Sequence, residues 1–161
     1  MKRISLFLLA AIMLLSLVGC GSTDIDPQEE NLSFTYNGTK ITLGAEAAPI
    51  IDALCEPRSY TEEPSGAFDG MDKTYYYGSF YLSTYPLDGK DYVYCIWFAD
   101  DSVVTNDGIR IGSTQTQVEA VYGTACFNGT NSYTEIQSST KLTILLEENK
   151  VKSIQIDLLI D

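Results

Sequence analysis

Apolar residues recur along this chain at two spacings, a helical one followed by a strand one, and the succession occurs twice. Ile50, Ala53 and Leu54 stand at i, i+3 and i+4, as do Val118, Val121 and Tyr122, and each stripe predicts a short amphipathic helix. Ser113 or Thr114 offers an N-cap to the second helix and Gly123 a stop, while Pro49 opens the first and Pro57 follows it. After each helix the period drops to two. Residues 74–77, 79–87 and 91–98 follow the first helix, and 132–136, 141–146 and 151–158 follow the second, each set predicting a three-stranded meander. Asp88-Gly89 and Glu148-Asn149-Lys150 mark the tight turns. A further hairpin, residues 32–36 and 41–43 around Asn37-Gly38, precedes the first helix and is expected to extend the first sheet.

Laid against itself, the chain sets Ile41-Thr42-Leu43-Gly44 on Ile109-Arg110-Ile111-Gly112. The expected fold is α+β, two tandem helix-plus-antiparallel-meander repeats over residues 32–108 and 109–161, with the helices packed on one face of the sheets. Alternation assigns the faces. Leu142, Ile144, Leu146, Ile154, Ile156 and Leu158 point to one side, and the same parity buries Phe80, Leu82, Ile96 and Phe98. Tyr81, Tyr85, Cys95 and Trp97 are then turned to the open face.

The N-terminal stretch follows a different logic. Met1-Lys2-Arg3 leads into an apolar run over residues 4–18 and the ending Leu17-Val18-Gly19-Cys20, the order of a secretory signal over residues 1–19. The run is about 15 residues, short of the roughly 20 that span a bilayer. The ending resembles the lipobox of bacterial lipoproteins, which implies lipidation of Cys20 and attachment to the membrane through that lipid. Residues 20–31 are polar and acidic and are expected to form a solvated tether. The predicted address is the outer face of the cell membrane, in an envelope of the Gram-positive type.

Removing the signal leaves 8 basic residues against 22 acidic ones, a net charge of −14, which makes nucleic acid an unfavourable partner. There is no histidine, so the commonest general base and zinc ligand are both missing. No catalytic residue, metal site or cofactor is assigned. Cys55, Cys95 and Cys126 are an odd number in an exported chain, and both free thiols and a Cys55 to Cys126 bridge stay open.

The repeat resembles a known group, the tandem α/β proteins typified by β-lactamase inhibitory protein, and is also similar to outer-membrane assembly lipoproteins of the SmpA/OmlA type. The residues that carry this are Ile111-Gly112-Ser113-Thr114, Val118 and Tyr122-Gly123, matched in the first half by Leu43-Gly44, Ile50, Leu54 and Glu56-Pro57. The chain departs from the pattern at Cys55, where the family has glycine, and at Ala125, where it has proline. The resemblance implies a concave sheet surface free to grip a protein partner. No contact residue of the inhibitory protein is carried over.

Tyrosines at positions 75, 76, 77, 81, 85, 92 and 94, with Trp97, are the densest aromatic cluster, and such residues dominate recognition surfaces. Tyr81, Tyr85 and Trp97 are the candidate ligand-binding residues, against the plainer reading that tyrosine simply suits strands. The acidic groups at 69–72, 88–91 and 100–107 do not have the spacing of an EF-hand and read as solvated turns. No Ser-x-x-Lys is present at a helix start. These features predict a membrane-anchored, non-enzymatic extracytoplasmic lipoprotein that binds a protein or other ligand through its open sheet face. The alternatives are an inhibitor of a secreted hydrolase, entering its target with the Asp88-Gly89 hairpin, and an accessory subunit of an envelope assembly.

Overall fold

The computed structural model describes residues 30–127, 129 and 131–160. The predicted signal, Cys20 and all but the end of the predicted tether lie outside these residues. Strand dominates. A hairpin, β1 (Ser33–Tyr36) and β2 (Thr39–Thr42), is followed by helix α1 (Ala47–Ala53). Then come β3 (Ser59–Pro64), β4 (Met71–Tyr76), β5 (Phe80–Leu87) and β6 (Lys90–Phe98). Helix α2 (Gln115–Tyr122) leads into β7 (Ser132–Gln137), β8 (Thr140–Glu147) and β9 (Lys150–Leu158).

The expected arrangement of two helix-plus-meander repeats is corrected by the topology. All strands from β3 onward join one antiparallel sheet of seven, in the order β3-β4-β5-β6-β9-β8-β7. The halves meet where β6 pairs with β9, through Cys95↔Asp157, Ile96↔Ile156 and Trp97↔Gln155. Joining these two strands leaves no sheet edge in the middle of the molecule and lets one core run under both halves. The two helices, of 7 and 8 residues, are minor elements of a mostly β fold. Nor does the leading hairpin extend the sheet. It forms a two-stranded sheet of its own, with Phe34 packed on Phe80 and Phe98 at ring-centroid distances of 5.1 and 4.9 Å.

Local chemistry explains the turns. Asn37-Gly38, Asp88-Gly89 and Glu148-Asn149 all have positive φ at both positions, as type I′ hairpins require. Thr114 caps α2 in a capping box with Gln117, and Gly123 ends the helix at φ 76°. The turn before each helix docks on the last strand of its half. The Gly44 amide donates to the Val93 carbonyl (2.7 Å) and the Gly112 amide to that of Val151 (2.8 Å). Val93 and Val151 in turn donate their amides to the carbonyls of Ala45 and Ser113.

One face of the sheet is covered and the other open. The covered face buries Phe80, Leu82, Val93, Ile96, Phe98, Leu142, Ile144, Ile154 and Ile156 against Phe34 and Ile41 of the hairpin, Ile50 of α1 and Val118 of α2. Each helix turns a narrower stripe inward than its spacing predicts. Ala47, Ile50 and Leu54 are buried while Ala53 is exposed, and Val121 also faces out. β3 has no counterpart among the predicted strands, because its sequence carries no apolar alternation and every residue in it is exposed. Backbone pairing to β4 makes it a strand, and Glu62, Glu63 and Pro64 protect the edge it forms. At the other end, the chain is already fixed by residue 30. Gln137 donates to the Glu30 carbonyl, and the Asn31 side chain bonds the Leu43 carbonyl and the Ser139 amide.

Candidate functional site

The open face carries the aromatic residues. Tyr76 on β4 pairs with Tyr81 on β5, and Tyr81 pairs with Trp97 on β6, so the sheet register sets three rings in a row across three strands. The rings stack, Tyr76 on Tyr81 at 4.5 Å and Tyr81 on Trp97 at 5.5 Å. The Trp97 indole donates to the Ser153 hydroxyl on β9 (3.2 Å), which ties the row across the seam between the halves. Trp97 is nonetheless 47% exposed. Rings stacked on one another turn their edges outward, so the row presents a ridge of phenol and indole edges, not a flat platform of ring faces.

Of the predicted site residues, the structure brings Tyr81 and Trp97 together and places Tyr85 in a second cluster on the same face. Tyr85 lies 5.0 Å from Phe68, 5.8 Å from Tyr92 and 6.3 Å from Tyr94 by ring centroids. Tyr94 reaches this cluster because of a bulge. Ser83 pairs with Cys95 but Thr84 pairs with Val93, so Tyr94 has no partner and the parity of β6 reverses there. Strict alternation from Phe98 and Ile96 would have buried it.

Phe68 belongs to the loop between β3 and β4, which folds back over the sheet. The Ser65 amide donates to the Gly70 carbonyl (3.0 Å), and the Ser65 hydroxyl accepts from the Phe68 amide (3.3 Å). Gly70 has φ 132°, and a Cβ there would stand 2.8 Å from that of Pro86, so the loop can close this tightly only with glycine. Beneath it lies a pocket of about 160 Å³ lined by Phe68, Tyr85, Tyr94, Asp72, Ser65 and Ile160 with Ala67.

Burial is the main reason that the phenols of Tyr85 and Tyr94 hold their protons above the ordinary range, and for Tyr94 the charges of Cys95 and Asp72 add to it. The Cys95 thiol is pushed up to about 12, chiefly by burial, then by the charge of Asp157 and a hydrogen bond to it. Cys55, Cys95 and Cys126 are all free. Among the described residues no group of three or more His, Cys, Asp and Glu side chains is arranged to hold a metal, and no helix is long and apolar enough to cross a membrane.

No protein-family model matches the chain. No curated protein matches it either. Among solved structures, it is similar to an extracellular protein containing a SCP domain from Bacillus anthracis str. Ames, at 10% identity and a TM-score of 0.43. The match covers 76% of this chain and 47% of that one, so this chain spans about half the length of that protein. An overlap of that quality carries no argument about this chain's fold or activity.

Tyr76 and Tyr94 stand in the predicted tyrosine cluster but not among its three candidate binding residues, and Phe68 lies outside the cluster altogether. Tyr76 was within the tyrosine cluster, but only the β4–β5 register puts it beside Tyr81. For Phe68 the one signal was an aromatic residue inside a Gly- and Ser-rich loop, a position where it has no core to enter.

Proposed function

We propose that this chain is a lipid-anchored, non-enzymatic extracytoplasmic protein whose open sheet face binds a protein partner. The observation that carries the reading is the Tyr76, Tyr81 and Trp97 row, held across the seam by Ser153 and left uncovered on its solvent side. Pre-stacked rings lose little side-chain entropy when a partner covers them, which is why such residues supply much of the energy of recognition. Their outward edges mix apolar carbon with hydroxyl groups and suit a protein surface better than a sugar ring, which needs an exposed ring face. Lipidation of Cys20 would keep the face near the membrane, tethered by the acidic segment that follows.

The test uses the full chain and a Tyr81→Ala, Trp97→Ala double variant as baits for native envelope and culture medium, both verified as folded by circular dichroism. A partner held by the parent and lost by the variant is expected. Titrating that purified partner into the parent should shift the emission of Trp97, the only tryptophan. Equal capture by both baits refutes the open-face reading.

A further inference from the structure

We propose that the pocket beneath the Phe68 loop receives an organic ammonium group, and that a methylated ammonium head is the form it fits best. The proposal rests on the open face being the binding surface and names the chemistry of one subsite on it. Size comes first. A cavity of about 150 Å³ holds a benzene, whereas drug-sized ligands need about 300–1,000 Å³. The 160 Å³ here therefore suits a compact group such as trimethylammonium, not a whole cofactor.

The walls select for a cation. Phe68 and Tyr85 pack on one another at 5.0 Å and Tyr94 is inclined at 69° to Tyr85, so the pocket meets aromatic surface on more than one side. Aromatic rings around a methylated ammonium attract it through their quadrupoles and replace the water it sheds. The pocket also has a negative charge to neutralise. Asp72 lines it, and the Oδ1 atom of that carboxylate is shut away from water with no hydrogen-bond donor. Directly across the β3–β4 ladder from Asp72 stands Glu63, a like-charge pairing that costs stability.

No basic side chain among the described residues answers these two carboxylates. Among the described residues neither takes part in an ion pair, and Lys73, the neighbour of Asp72 along β4, is bonded to Asp91 at 2.7 Å. An anionic ligand would be repelled by this site. A neutral one would leave the Asp72 charge uncompensated. Calcium would need six or more oxygen ligands, and a pocket walled by three rings and one carboxylate does not supply them. The site is also formed in advance, since the Ser65 and Gly70 bonds hold the Phe68 loop over it.

The experiment is a calorimetric titration of the full chain with choline chloride and with tetramethylammonium chloride. The controls are the neutral isostere of choline, in which carbon replaces nitrogen, and sodium chloride. Saturable binding of both ammonium ions is expected, with the neutral isostere weaker by about ten-fold or more. Asp72→Asn and Phe68→Ala should each weaken choline by a similar factor, while Ile136→Ala, on the opposite edge strand β7, should leave it unchanged. A parallel titration with Nα-acetyl-lysine amide separates the sources of the group. Tighter choline is expected and supports a methylated head, whereas tighter lysine overturns the preference for a methylated head and assigns the pocket to a primary ammonium on a protein partner. Equal affinity for the neutral isostere, no effect of Asp72→Asn, or no saturable binding of any ammonium compound overturns the proposal. Since partner capture depends on Tyr81 and Trp97, an empty pocket would leave the open-face reading intact.

Discussion

Replacing Ile96 by alanine and Ile136 by alanine makes the same chemical change at two strand positions that differ in burial. Ile96 is fully buried at the seam, opposite Ile156, whereas Ile136 on the edge strand β7 is 63% exposed. Each substitution removes three carbons, worth about 0.8 kcal/mol each when fully buried, or about 2.4 kcal/mol. At Ile96 the sheet above and the hairpin and helices below hold the cavity open, which raises the expected cost to about 3–4 kcal/mol. At Ile136 little more than a third of the transfer energy applies and no cavity forms, so the cost should stay below about 1 kcal/mol. The lost strand preference of isoleucine is common to both and largely cancels. Urea unfolding of the full chain, followed by Trp97 fluorescence and by far-ultraviolet circular dichroism, measures the difference. Trp97 reports on the seam and circular dichroism on the whole sheet, so a single seven-stranded sheet requires coincident transitions. Equal losses for the two variants, or separate midpoints for the two probes in the parent, would mean that the seam is not part of one cooperative core.

Three further outcomes follow from the structure. Near neutral pH a thiol-alkylating reagent should modify exposed Cys55 and spare Cys95, whose thiol burial and Asp157 push up to about 12, as peptide mapping will show. Because folding raises that value from about 9, its contribution to stability is intact below about 9 and is lost as pH rises toward about 12, so the parent should weaken more than Cys95→Ala over that window in urea titrations. Thr114→Ala removes the hydroxyl that accepts from the Gln117 amide and should cost about 1 kcal/mol by the same unfolding assay, while Thr114→Ser should restore most of it.

The sequence alone determined what depends on near neighbours. Type I′ turns at Asn37-Gly38 and Asp88-Gly89 were legible because few residues tolerate positive φ at both positions. The cap and stop of α2 were legible because Thr114 and Gly123 act within one turn of the helix. Phe80, Leu82, Ile96 and Phe98 were placed on the core side, and Tyr81, Tyr85 and Trp97 opposite, because alternation is a property of the strand itself. Tertiary structure decided whatever required one strand to choose another. The pairing of β6 with β9 merged two expected sheets into one, and nothing in either strand names its partner. β3 exists through backbone bonds to β4, which leave no mark on its side chains. The bulge at Tyr94 reverses the parity of β6 and puts this tyrosine on the wall of the pocket, where uninterrupted alternation would bury it. Tyr76 entered the stacked row through the β4–β5 register, and Phe68 closed the pocket through a loop held by Ser65 and Gly70. Periodicity along the chain fixes which way a side chain points, but the neighbours it meets are set by long-range pairing, and the candidate binding face is built from such pairings.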